Sequence, residues 1–192
     1  MTPAPQGSAR PLRADAQRNR DAVVRAARET FETEGVLAPL DGIALRAGVG
    51  NATLYRNFPT RDDLLAAVMQ ASITAALDEA DELARTLPPR AALAEWLQRL
   101  TWRLRIWHDL PTCLATARED ADSSVQSACN PLVARTATLL EEARIAGDAT
   151  PDVTAEEVYD LLLALSWGVD RFHDDEPTAR RRVTLATAGL FR

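Results

Sequence analysis

The stretch GVGNATLYRNF, residues 48–58, crowds hydrogen-bonding side chains into about two helical turns. Asn51, Thr53, Tyr55, Arg56 and Asn57 surround two apolar residues, Leu54 and Phe58, that stand four apart. With Leu54 and Phe58 turned into a core, the polar five lie largely outward, and Ala52 is small enough to allow close approach. The chemistry on offer is recognition. Asn pairs with the edge of adenine, Arg with guanine or a phosphate, and Thr donates, accepts or meets a thymine methyl.

Such a helix needs a frame. Val23, Val24, Ala27 and Phe31 fall on one side of a first helix that starts near Asp15, and Gly35 stops it. Pro39 takes a first helical position, with Asp41 in the first turn, where its charge suits the positive end of the helix dipole. Leu40, Ile43, Ala44 and Ala47 then repeat at the spacing of one buried face, giving a second helix of about two turns. Gly48, Val49 and Gly50 form a tight turn, and the third helix starts at about Asn51. Two short helices joined by a glycine turn make a helix-turn-helix, whose second member can lie in the major groove. The same pattern also occurs in all-helical proteins that touch no DNA.

Charge distribution favours the DNA reading. The chain of 192 residues has a net charge of -6, yet residues 1–65 hold nine Arg against eight acids, net +1, and the acidity lies beyond. Residues 10–28 alone carry six arginines, Arg18 and Arg20 among them, against Asp15 and Asp21. Phosphate contacts of this kind supply most of the affinity for DNA.

The run from Arg20 to Leu65, with AARETFETEG, PLDGIALRAGVGNATLYRNF and PTRDDLL, resembles the DNA-binding domain of the TetR family of bacterial transcriptional regulators. Carried over residue by residue, the resemblance places the recognition tyrosine and its neighbours on Tyr55, Asn51, Ala52, Thr53 and Asn57, and a phosphate-binding basic residue on Arg61. Many members cap the second helix with a Thr or Ser that reaches a phosphate, where this chain has Pro39 and Leu40. The resemblance implies an all-α fold of about nine helices: an N-terminal three-helix helix-turn-helix domain and a C-terminal helical bundle. The expected division is a disordered arm over 1–13, a DNA-binding domain over 14–62, and a ligand-binding and dimerisation domain over 63–192. It further implies a homodimer paired through the last two helices, a palindromic double-stranded DNA operator and an unknown small-molecule effector.

Beyond the head, periodicity predicts a long fourth helix ending at Pro88 and Pro89, and a fifth from about Arg90 to His108. Leu93, Trp96, Leu97, Leu100, Leu104 and Trp107 share one face of the fifth, with Trp102 and Ile106 opposite, so that helix is expected to be buried on two sides. A sixth helix follows Pro111. The seventh spans roughly Ser124 to Ala146 with Pro131 inside it, the eighth opens with a Thr154–Glu157 capping box, and the last runs from about Glu176 to Leu190. The aromatic, sulfur and imidazole side chains Met69, Trp96, Trp102, Trp107, His108, Cys113 and Phe172 are the candidates for lining an effector cavity. Arg103 and Arg105 leave an acidic ligand open as well as an apolar one.

Other functions find little support. The only histidines, His108 and His173, lack a catalytic partner in a recognisable motif, and there is no glycine-rich phosphate loop, so neither enzyme activity nor a cofactor is expected. His173 with Asp174, Asp175 and Glu176 reads as a solvated loop before it reads as a metal site. Cys113 and Cys129 read as reduced core thiols, although a thiol-sensing regulator remains an alternative, as does a small-molecule carrier or enzyme that uses the head only structurally. No apolar run is long enough to span a membrane, and the N-terminus lacks the apolar core of a signal peptide, so the expected setting is the cytoplasm.

Overall fold

The computed structural model describes the chain from Ala9 to Arg192, with side chains from Ala14 onward. The first eight residues of the expected arm lie outside the described residues. The remainder of that arm is a correction, because helix α1 (Ala9–Glu34) already begins at Ala9 and not near Asp15. Pro11 falls within its first turn, where the missing N–H has no intrahelical partner to lose.

Helices α2 (Leu40–Arg46) and α3 (Asn51–Asn57) complete the head. Pro39 stands just outside α2 as its cap, in extended conformation, not as its first residue. Gly48 takes φ +68, the left-handed turn that lets α3 start four residues after Ala47. Helix α4 (Arg61–Thr86) is the spine of the molecule. The Thr60 hydroxyl accepts from the Asp63 amide and the Asp63 carboxylate accepts from the Thr60 amide, so its N-terminus is capped in both directions. One face of α4 buries Leu64, Leu65, Val68, Met69, Ile73, Ala76, Ala80 and Leu83, a stripe that joins the head to the body in a single apolar core.

Helices α5 (Pro89–Arg103) and α7 (Ser124–Ile145) pack on α4, and α6 (Leu110–Arg118), α8 (Ala155–Arg171) and α9 (Glu176–Ala186) pack in turn on those, followed by a 3-10 turn at Ala188–Leu190. Among the described residues there are nine α-helices and no strand, only an isolated bridge between Ala149 and Phe191. Pro131 sits within a continuous α7, on its exposed side, where the carbonyl left without a donor can meet water. The Thr154–Glu157 capping box is present, and the Asp175 carboxylate caps α9 by accepting from the Thr178 amide.

Two expected helices overran. The fifth ends at Arg103, and residues 104–109 turn back with Asp109 at φ 64, a left-handed conformation that a helix cannot continue through. Leu104 and Trp107 keep the apolar spacing because the turn folds over the core; the spacing reports burial, not helix. The last helix stops at Ala186 and tightens into the 3-10 turn that buries Leu190.

Candidate nucleic-acid interface and ligand cavities

Leu54 and Phe58 are fully buried, which fixes the outward face of α3. Asn51, Ala52 and Arg56 are exposed, Tyr55 is 45% exposed, and Thr53 and Asn57 are half-buried. Several of these polar groups already have partners. Asn51 Nδ2 donates to Asp41 Oδ1 at 2.9 Å, Arg56 Nη2 to Thr53 Oγ1 at 3.2 Å, and Asn57 Nδ2 to the Thr53 carbonyl at 2.8 Å. Tyr55 and the remaining donors of Arg56 are the most available to a ligand, and Asn51 first has to release Asp41.

The arginines divide by task. Arg18 is at the surface, paired with Asp15 one turn earlier. Arg20 lies with its guanidinium 4.4 Å above the Phe58 ring and donates from Nη1 to the Asn57 carbonyl at 3.3 Å, bracing the end of α3 against α1. Arg61 donates from Nη1 to the carbonyls of Val36 and Ala38 at 2.7 and 2.8 Å. The residue expected on phosphate therefore also fastens α4 to the α1–α2 loop, which leaves only its other donors for DNA. Arg46, which sequence reasoning passed over, ties α2 to α1 through Thr30 Oγ1 at 2.7 Å and Glu34 at 2.5 Å.

Besides the continuous α4, two sets of hydrogen bonds tie the body to the head and to the first turn of α4. The Val36 amide donates to the His108 carbonyl at 3.2 Å, beside Phe31 and Trp107, whose ring centroids lie 5.9 Å apart. At the start of α7, Ser123 Oγ donates to Asp62 Oδ2 at 2.8 Å and Ser124 Oγ to Asp63 Oδ1 at 2.6 Å. The hydrogen bonds from Ser124 and Thr60 hold the Asp63 carboxyl below the usual aspartate range. Neither serine carries a sequence signal for this role, since each partner is 61 residues away.

The structure does not gather the seven candidate effector-lining residues into one cavity. Met69 and Trp107 face a small apolar space of about 20 Å3, with Ile73, Ala76, Leu100 and Leu132, between α4, α5 and α7. Trp96 is wholly buried elsewhere, donating from Nε1 to Thr136 Oγ1 at 2.9 Å. Trp102 faces the opposite way, into an open charged groove of about 560 Å3 between α4, α5 and α9. The second side of α5 is thus a groove wall and not a buried face. His108 is largely exposed, its Nδ1 3.4 Å from Asp170 Oδ2. Cys113 is half-buried in α6, and Phe172, 63% exposed at the end of α8, lies beneath Arg182. Arg103 and Ile106 line both the apolar space and the groove, forming the wall between them.

The loop after α8 is organised by its own contacts: Asp174 pairs with Arg182 and Asp175 caps α9. Among the described residues no group of three His, Cys, Asp or Glu side chains is placed to hold a metal ion, and no helix is long and apolar enough to cross a membrane.

Residues 23–68 match the family described as bacterial regulatory proteins, tetR family, and residues 88–192 match the transcriptional regulator SbtR-like C-terminal domain. The TetR transcription regulatory protein from Mycobacterium vanbaalenii is 31% identical over 94% of this chain and 99% of that one, with a TM-score of 0.54. The TetR transcriptional regulator SCO0520 from Streptomyces coelicolor is 28% identical over 90% and 98% of the two chains, with a TM-score of 0.59. RolR, in complex with resorcinol, is similar in fold at 18% identity, over 92% of this chain and 88% of that one, with a TM-score of 0.69. No curated protein matches in sequence.

Proposed function

Because the chain belongs to the TetR family of bacterial transcriptional regulators, we propose that it acts in the cytoplasm as a homodimeric repressor, bound to a palindromic operator and released by a small-molecule effector. The observation that carries the reading is the outward face of α3, where Tyr55 and Arg56 project from a helix locked by buried Leu54 and Phe58. One such helix reads only a few base pairs, and a twofold dimer doubles the site into a palindrome.

Two further features support the details. Leu161, Trp167, Phe172 and Leu185 leave large apolar side chains exposed along α8 and α9, a surface suited to pairing with the same helices of a second chain. The Val36–His108 bond and the Trp107 side chain place the wall of the apolar cavity directly against the head. An effector that parts α4, α5 and α7 would move that wall and with it the spacing of the two recognition helices. It does so only through unequal affinity for the two arrangements, and a hundredfold preference is worth about 2.7 kcal/mol, enough to empty an operator.

The test is anisotropy binding of the purified protein to DNA from immediately upstream of its own gene, against random competitor at fixed salt. Two chains on a palindrome, preferred at least ~10³-fold, support the reading. Binding no better than to random DNA, there and in genome-wide site selection, sinks it.

A further inference from the structure

We infer that the groove between α4, α5 and α9 binds an organic monocarboxylate with a flat apolar body, its carboxylate held by Arg105 and its body laid against Trp102 and Ile106. The volume, about 560 Å3, is that of a small-molecule site.

The charges of the groove are nearly all spoken for. Arg99 pairs with both Glu79 and Glu95, Arg103 holds Glu79 at 2.6 and 3.1 Å, and Arg180 grips Glu95 with two contacts of 2.8 Å. Burial alone would raise the Glu79 carboxyl, but the hydrogen bonds from Arg103 and Arg99 outweigh it and hold the group ionised, below the usual range. Three arginines sharing two glutamates form a braced scaffold with one surplus positive charge.

Arg105 stands apart from that scaffold. Among the described residues it has no carboxylate within ion-pair distance, and its Nε is buried with no hydrogen-bond partner. Its guanidinium carbon lies 3.7 Å from the centroid of the Trp102 ring, a cation–π contact that holds the side chain against the groove wall. A guanidinium without a counter-ion invites an anion, and a carboxylate is the planar acceptor that matches its edge. With Glu176 at the rim, four arginines face three glutamates across the lining, a balance that one negative charge neutralises and two would exceed.

The apolar half of the ligand is set by the neighbours. Ile106 is 52% exposed, an uncovered aliphatic side chain beside the half-exposed Trp102. Ile106 and Arg103 are also the wall of the apolar cavity, so a ligand pressed against them bears on the space behind Trp107.

The probe is 2-naphthoate, titrated by calorimetry into the full-length protein without DNA, with 2-naphthamide and inorganic phosphate as controls. Expected are saturable naphthoate binding tighter than about 1 mM and amide binding at least about tenfold weaker. Arg105→Gln should cost naphthoate about tenfold or more and leave the amide unchanged, whereas Trp102→Leu should weaken both. No saturation by naphthoate, equal binding of acid and amide, or phosphate binding as well as naphthoate would each overturn the proposal. The acid–amide comparison uses the unaltered protein, so it decides even if a variant misfolds. No operator is involved, so failure here leaves the repressor reading standing.

Discussion

The backbone amide of Val36 and the carbonyl oxygen of His108, 3.2 Å apart, join a loop of the head to a turn of the body. Gly35 is what permits the approach: its φ is +82, and a Cβ there would stand 3.3 Å from that same oxygen. Gly35→Ala should therefore strain the backbone and crowd the joint. The left-handed conformation alone costs about 1–2 kcal/mol, which corresponds to a melting midpoint lower by about 2–8 °C in a protein of this size. An unchanged midpoint in a thermal melt would show that the loop relaxes freely and couples nothing.

Arg61 and Arg56 should fail in different ways. Arg61→Ala leaves the carbonyls of Val36 and Ala38 without their donor, so it should lower stability by about 1–3 kcal/mol as well as weaken binding to every DNA sequence. Arg56→Ala removes an exposed side chain, and should leave the melt unchanged while flattening the salt dependence of DNA binding by about one unit. Melting curves and salt titrations of both variants check this; an unaltered melt for Arg61→Ala would return that residue to a purely phosphate-facing role.

Acid should loosen the second joint. Asp63 has a native pKa depressed by the hydrogen bonds from Ser124 and Thr60, so the unfolded chain takes up its proton first as pH falls. The stability this contributes is complete above the ordinary aspartate range near pH ~4 and is lost as pH drops below it through the native value. Asp63→Asn should flatten the fall of the melting midpoint between pH ~5 and ~3 relative to wild type. A parallel fall in the two proteins would assign the acid sensitivity to other carboxylates.

Both cysteine thiols are harder to ionise than a free thiol. Burial, reinforced by the nearby Asp62, pushes the Cys113 thiol up, and burial does the same at Cys129, so little of either is thiolate at neutral pH. Iodoacetamide should label both slowly at pH 7, and the alkylated or doubly serine-substituted protein should keep its DNA affinity. Release of DNA on oxidation of the native thiols, absent from the substituted protein, would revive the thiol-sensing alternative.

What could be read from sequence was local. Leu54 and Phe58 at a spacing of four, the Gly48 turn and the Thr154–Glu157 box each depend on residues within one or two turns of helix, and each is in place. The candidate sites were less legible because their partners are remote. The resemblance places Arg61 on phosphate, while its Nη1 reaches carbonyls 25 and 23 residues away. Aromatic content marked Trp96, Trp102 and Trp107 alike, yet only the direction each leaves the chain decides between core, groove and cavity. Where α5 breaks at Arg103, that direction changes without any break in apolar spacing.

A space of about 20 Å3 is far smaller than a small-molecule site. An effector entering there has to wait for α4, α5 and α7 to separate, and collective motions of packed helices run on a microsecond-to-millisecond clock. Its association would then be gated: raising its concentration quickens occupancy only until the helices' own opening rate is reached. Beyond that ceiling the speed of response is a property of the helices packed around Trp107, not of the supply of the small molecule.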